Sequence, residues 1–204
     1  GWNWVGYLPT QTLPVETALQ SIAGQYQLVL GQHGTYDPAL PQFSTLTELE
    51  TGQMYMIYAD VATTLTYPDE QSASPATVSR HSVEPVAGTP YLTLVYGRVT
   101  LDGRPLAEGT MVEAVTPRGD VAGRGVVLAE GRLGFMHLFG EDAEAQPLIP
   151  GFREGEPVRF RINGQIVSPE ESLRWQDDRA RHFVEVEAPP FQLYVPLVSQ
   201  EGAR

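Results

Sequence analysis

The 204-residue chain contains no cysteine and no lysine; all 13 of its cationic side chains are arginine. Without cysteine there are no disulfides and no thiolate metal sites. Without lysine there is no covalent lysine-to-asparagine cross-link. Positive charge is scarce overall, with a formal net charge of −12 and a sequence pI near 4.7. That balance argues against nucleic acid, which is held largely by cations on phosphate, and against an anionic membrane surface. No apolar run is long enough to cross a bilayer, so no membrane insertion is expected. The sequence also lacks a G-x-S-x-G elbow, a P-loop and a dinucleotide fingerprint. It reads as a non-enzyme that needs no cofactor.

The residues that carry chemistry elsewhere are scattered here. His33, His81, His137 and His182 stand more than forty positions apart, with no pair at ligand spacing, so packing or surface roles are expected. Glu141, Asp142 and Glu144 form an acidic loop without the register of a calcium-binding loop, and a solvated loop is the simpler reading. Glu170-Glu171 and Asp177-Asp178 lie in a polar stretch and need no catalytic account. Arg118-Gly119-Asp120 matches a tripeptide read by cell-adhesion receptors, but it falls where a turn is required, and a turn is expected.

What the sequence does have is strand pattern between turn signals. Residues 92–101 alternate, with Leu92, Leu94, Tyr96, Arg98 and Thr100 on one face and Thr93, Val95, Gly97, Val99 and Leu101 on the other. One face is mostly apolar, the other mixed. Asp102-Gly103 favours the positive φ angles of a tight hairpin, and Pro105 confines the next residues to a turn or an edge. Further strands are expected at 110–116, 125–129 and 132–139. A hairpin is expected at 158–162 and 165–167 around Asn163-Gly164, and a last alternating run at 181–187. Gly97, Val99, Gly103, Pro105 and Gly109 follow a G-x-V-x-x-x-G-x-P-x-x-x-G pattern. On those residues the region from 91 to 188 resembles the carboxypeptidase regulatory-like, prealbumin-like β-sandwiches. The resemblance covers about half the chain and implies a sandwich fold.

Residues 1–68 read as a separate β-rich module. The aromatic run Trp2-Asn3-Trp4-Val5-Gly6-Tyr7 alternates as a strand. Residues 14–22 are the best helix signal: Pro14 suits a helix start, Val15, Ala18, Leu19 and Ile22 share one face, and Gly24 supplies a stop. Strands are expected at 26–30, 54–59 and 62–67. The Trp-Asn start, the short helix, Tyr36-Asp37-Pro38 and the strand at Tyr55 together resemble a small module of secreted bacterial proteins. That resemblance implies no chemistry. Residues 69–90, proline-rich and poor in apolar side chains, read as an extended, semi-rigid linker. The expected fold class is therefore all-β: two β-sandwich or barrel-like domains, the first with one short helix.

The segment 189–204 carries the functional expectation. After Pro189-Pro190, Phe191, Leu193, Val195 and Leu197 fall on one face of a detached strand, which must find a sheet edge in its own domain, in the first module or in a neighbouring molecule. Its Tyr194-Val195-Pro196-Leu197-Val198 core resembles the tails of many secreted bacterial proteins, implying an extracellular or cell-surface location. Strand addition to an open edge is an established assembly mode. The expectation is a structural subunit of an extracellular filament or surface layer, a homopolymer joined through Phe191, Leu193, Val195 and Leu197. The alternative is a glycan-binding or adhesive module using the aromatic residues of the first 60 positions. Three or more rings on one open face would favour it, and their burial would remove it.

Overall fold

The computed structural model describes residues 1–32, 34–68, 86–188 and 190, and the fold is all-β. Residues 1–68 contribute β1 (Trp2–Gly6), β2 (Leu13–Pro14), β3 (Tyr26–Leu30), β4 (Thr35–Tyr36), β5 (Glu48–Leu49) and β6 (Met54–Ala59). Four of them form an antiparallel sheet in the order β1-β6-β3-β4, and β2 pairs with β5 beside it. The expected helix is real but broken. Helix α1 spans only Val15–Ala18, Leu19 turns out of the α conformation at φ −102°, and a 3-10 turn follows at Gln20–Ile22. So short a helix is held by packing rather than propensity. Its apolar row is indeed the buried one, since Val15, Ala18, Leu19 and Ile22 are all at most 2% exposed. They close a core against Tyr7, Val29, Tyr55 and Ile57.

The strand expected at 62–67 does not form. This stretch is tied down by side chains instead of a ladder: the Thr66 N–H donates to Ser21 Oγ (2.9 Å) and the Tyr67 hydroxyl to the Gly6 carbonyl (2.9 Å).

The second half contributes β7 (Leu92–Leu101), β8 (Arg104–Pro105), β9 (Met111–Val115), β10 (Val121–Val126), β11 (Arg132–Phe139), β12 (Arg159–Ile162), β13 (Gln165–Val167) and β14 (Arg181–Glu187). They form two sheets, β11-β7-β14 with β8 alongside β7, and β10-β9-β12-β13. Between them lies one core that includes Val95, Val99, Phe160, Ile162 and Val184. Both expected hairpins close through paired left-handed residues, Asp102-Gly103 at φ 51° and 70° and Asn163-Gly164 at φ 51° and 79°. Strand β10 lies earlier than the run 125–129 suggested. Gly123 and Gly125 let it press against β11, where a Cβ on Gly123 would sit 2.4 Å from the His137 carbonyl oxygen.

Strand β7 is buried on both faces over its first half, where alternation suggested one apolar and one mixed face. Val95 and Val99 face the sandwich core. Leu92 and Leu94 turn the other way and pack with Leu28 and Leu30 of β3, with Trp2, Met56, Tyr58 and Phe139 around them. The first module therefore covers the outer face of the β11-β7-β14 sheet. Polar contacts flank this joint: Thr35 Oγ1 lies 2.8 Å from His137 Nε2, the Thr45 hydroxyl donates to the Phe135 carbonyl (3.2 Å), and Arg181 pairs with Asp37. Phe43 adds an edge-on ring contact to Tyr96 (centroids 5.0 Å). Residues 69–85 of the expected linker lie outside the described residues. Thr89 belongs to the sandwich, being buried and donating to the Gly140 carbonyl (2.9 Å).

Candidate assembly interface

Phe191, Leu193, Val195 and Leu197, the residues expected to make the joint, lie outside the described residues, as do His33 and His81. The described part of the chain shows where the tail departs. Strand β14 runs parallel to β7, in register from Arg181 opposite Leu94 to Glu187 opposite Thr100. Arg181 sits at the first module, on Asp37. Six steps of about 3.3 Å put Glu187 roughly 20 Å further on, at the far end of the sandwich. Ala188 is still buried there, and Pro190 is exposed.

The first module, packed over Leu92 and Leu94 of β7, carries an open sheet edge. β1 is the outermost strand of its sheet, and among the described residues no strand pairs with its other side. Gly1 and Tyr7 bond toward β6 and the turn before it: the Ala59 N–H donates to the Gly1 carbonyl (2.9 Å) and the Tyr7 N–H to the Gln53 carbonyl (3.0 Å). Antiparallel pairing alternates, so Asn3 and Val5 also bond inward, and Trp2, Trp4 and Gly6 turn their backbone groups outward. The Tyr67 hydroxyl on the Gly6 carbonyl agrees with that phase. Natural sheets blunt exposed edges with charge. β1 has none, and residues 1–79 hold no lysine or arginine at all. One edge of the sandwich, β14, is treated differently: it carries Glu185 and Glu187, and the Glu170 N–H caps the Glu185 carbonyl (2.9 Å).

Beside β1 runs a trough of about 620 Å³, walled on the other side by residues 59–63 and floored by Val5, Ile22, Ile57 and Leu65. On the opposite face of β1, Trp4, Met54 and Leu8 are 69%, 53% and 80% exposed. A Cβ on Gly6 would lie within 4 Å of both Met54 and Leu8, so these side chains adjoin one another. An unpaired ladder flanked by apolar surface on both faces is suited to receiving an extended peptide.

The comparisons add no relative. Set against protein-family models, curated proteins and solved structures, the chain matches none.

The remaining candidates have structural occupations. His137 bonds Thr35 across the module joint, and His182 Nε2 is 2.9 Å from Asp178 Oδ2. Glu141 receives two 3.0 Å bonds from the Arg153 guanidinium, which hold its carboxyl below the usual range. Asp142 accepts the Glu144 and Ala145 N–H groups. Arg118-Gly119-Asp120 forms a turn, with Gly119 at φ 96°, and Arg118 is engaged by Glu156 and the Gly151 carbonyl. Asp177 and Asp178 clamp the start of β7, accepting the Leu92 N–H (2.9 Å) and the Thr93 hydroxyl (2.7 Å). Burial alone would raise the Asp178 carboxyl, but bonds from the Ala180 N–H, Thr93 and His182 outweigh it and lower it. Of the rings that suggested glycan stacking, Tyr7, Tyr26, Tyr36 and Tyr55 are buried, and burial pushes the Tyr7 hydroxyl up to about 12. Trp2 and Tyr58 pack edge-on at the module joint (5.2 Å), which leaves Trp4 as the ring most open to solvent among them.

Sequence pattern identified β1 as a strand but not as an edge. Edge status depends on which strands pair, and the residues that make the trough, 1–5, 22, 57, 59–63 and 65, are far apart in the chain.

Proposed function

We propose that this chain is a structural subunit of an extracellular filament or surface layer, assembled head to tail by addition of residues 191–198 to a neighbouring copy. The observation that carries the reading is polarity. The tail leaves from the Glu187 end of β14, while the open, uncharged edge of β1 lies on the module packed over the Leu92–Leu94 half of that sheet's outer face. A donor at one pole and an acceptor at the other make a heterologous contact, which need not close and so propagates. The extracellular setting rests on the resemblance of the Tyr194–Val198 core to the tails of secreted bacterial proteins. Burying four apolar side chains contributes roughly 1.5–3 kcal/mol each before ordering costs, enough for a stable joint.

Negative-stain electron microscopy and sedimentation of the full chain, beside a chain ending at residue 188, test this. The full chain is expected to form linear polymers and the shortened one to remain a folded monomer. Polymers of the shortened chain, or a full chain that stays monomeric at high concentration, would refute the proposal.

A further inference from the structure

Resting on that reading, we infer that the acceptor is the free edge of β1 together with the trough beside it, and that the tail of a second copy lies there parallel to β1. The tail's own sequence restricts how it can pair. Pro196 has no N–H, so the row that includes it, Gln192, Tyr194, Pro196 and Val198, is the row that faces away from the partner ladder. The bonding row is then Phe191, Leu193, Val195 and Leu197, which is also the apolar row. On β1 the outward groups belong to Trp2 and Trp4, the Gly6 carbonyl being taken by Tyr67.

Direction decides where the apolar row goes. In antiparallel pairing, bonded residues stand opposite one another and share a face, so Phe191, Leu193, Val195 and Leu197 would lie on the Trp2 and Trp4 side and Gln192 would enter the trough. In parallel pairing, bonded residues are offset by one, so the apolar row lies on the face of Asn3 and Val5, over the trough. The trough floor of Val5, Ile22, Ile57 and Leu65 is apolar. The parallel arrangement matches apolar row to apolar floor and lays Tyr194 and Pro196 beside the exposed Trp4 ring, so both faces of the tail find partners. The occupant is a second copy because the first module sits at the Arg181 end of β14, about 20 Å from the Glu187 end where the tail begins, and about six residues at 3.3 Å each, Phe191 and Leu193 among them, would be spent on the way back.

The absence of native cysteine makes this directly testable. Full-length Asn3→Cys is mixed in turn with full-length Leu193→Cys, Val195→Cys, Gln192→Cys and Tyr194→Cys under mild oxidation. Heterodimers are read on non-reducing gels, and assembly in the same samples by sedimentation. Cross-linking of Asn3→Cys to positions 193 or 195 but not to 192 or 194 is the expected result. Polymers that form without that pattern, or with the reverse one, overturn the proposed acceptor while leaving assembly standing. Samples that form no polymer overturn both. As a second variant, Trp4→Ala in the full chain is expected to leave the melting temperature unchanged and to reduce polymer formation; polymers at the parent level would count against the acceptor.

Discussion

Asp37 is fully buried in a module that contains no lysine or arginine, and its cation, Arg181, comes from the sandwich more than a hundred residues later. Replacing Arg181 by alanine strands a carboxylate. Breaking one partner of a buried pair costs about 3–5 kcal/mol. Arg181 is 34% exposed, so water already screens part of the interaction, and about 2–3 kcal/mol is the expected loss. For a chain of this size that lowers the melting temperature by about 5–10 °C. Asp37→Asn removes the charge that needs compensation, so Arg181→Ala made on top of it should cost much less. The double-mutant cycle is expected to show coupling of about 1–2 kcal/mol, measured by thermal unfolding followed by circular dichroism. Because Leu28, Leu30, Leu92 and Leu94 share one cluster across the joint, the parent should also unfold in one calorimetric transition. Effects that add within about 0.5 kcal/mol, or two separate transitions, would refute the claim that the modules are locked together.

Two further perturbations test the sandwich. A Cβ at Gly97 would sit 1.8 Å from the Val184 carbonyl oxygen, a backbone obstacle that no rotamer relieves. Gly97→Ala should therefore cost about 3 kcal/mol or more by denaturant unfolding, and an unchanged midpoint would refute the close β7–β14 contact. The lowered Asp178 carboxyl contributes stability that is complete above its ordinary value of 3.8 and is lost as pH falls from there through the lower folded value. Melting temperatures followed from pH 6 down to pH 2 should fall less steeply in Asp178→Asn than in the parent, and parallel curves would show that the carboxylate does not contribute.

Much of the fold was legible wherever the signal is local. Asp102-Gly103 and Asn163-Gly164 announce their hairpins because few other residues accept two successive positive φ angles. The runs at 92–101, 132–139 and 181–187 match their strands to the residue. The apolar row from Val15 to Ile22 found its buried face even though the helix breaks at Leu19. The failures are non-local. Residues 62–67 have strand composition, but their partners turned out to be the Ser21 side chain and the Gly6 carbonyl. Leu92 and Leu94 looked like half of an ordinary alternation until a second module covered them. The parallel partnership of β7 with β14 joins segments some ninety residues apart, and Gly97 is small for a reason that only that partnership reveals. The open edge of β1 was hidden for the same cause, whereas the segment from Phe191 to Val198 stood out because apolar alternation and a double proline are written in consecutive residues.

The parallel alignment of β7 and β14 has a mechanical consequence. In the proposed polymer, tension would enter the sandwich at Leu92, beside the first module, and leave at Glu187, where β14 ends. Pulling those two ends apart slides one strand lengthwise along the other, so the ladder from Arg181–Leu94 to Glu187–Thr100 is sheared as a unit rather than opened like a zipper. Rupture then requires many backbone bonds to fail together, and the lifetime of a subunit under pull is set by that barrier rather than by its equilibrium stability.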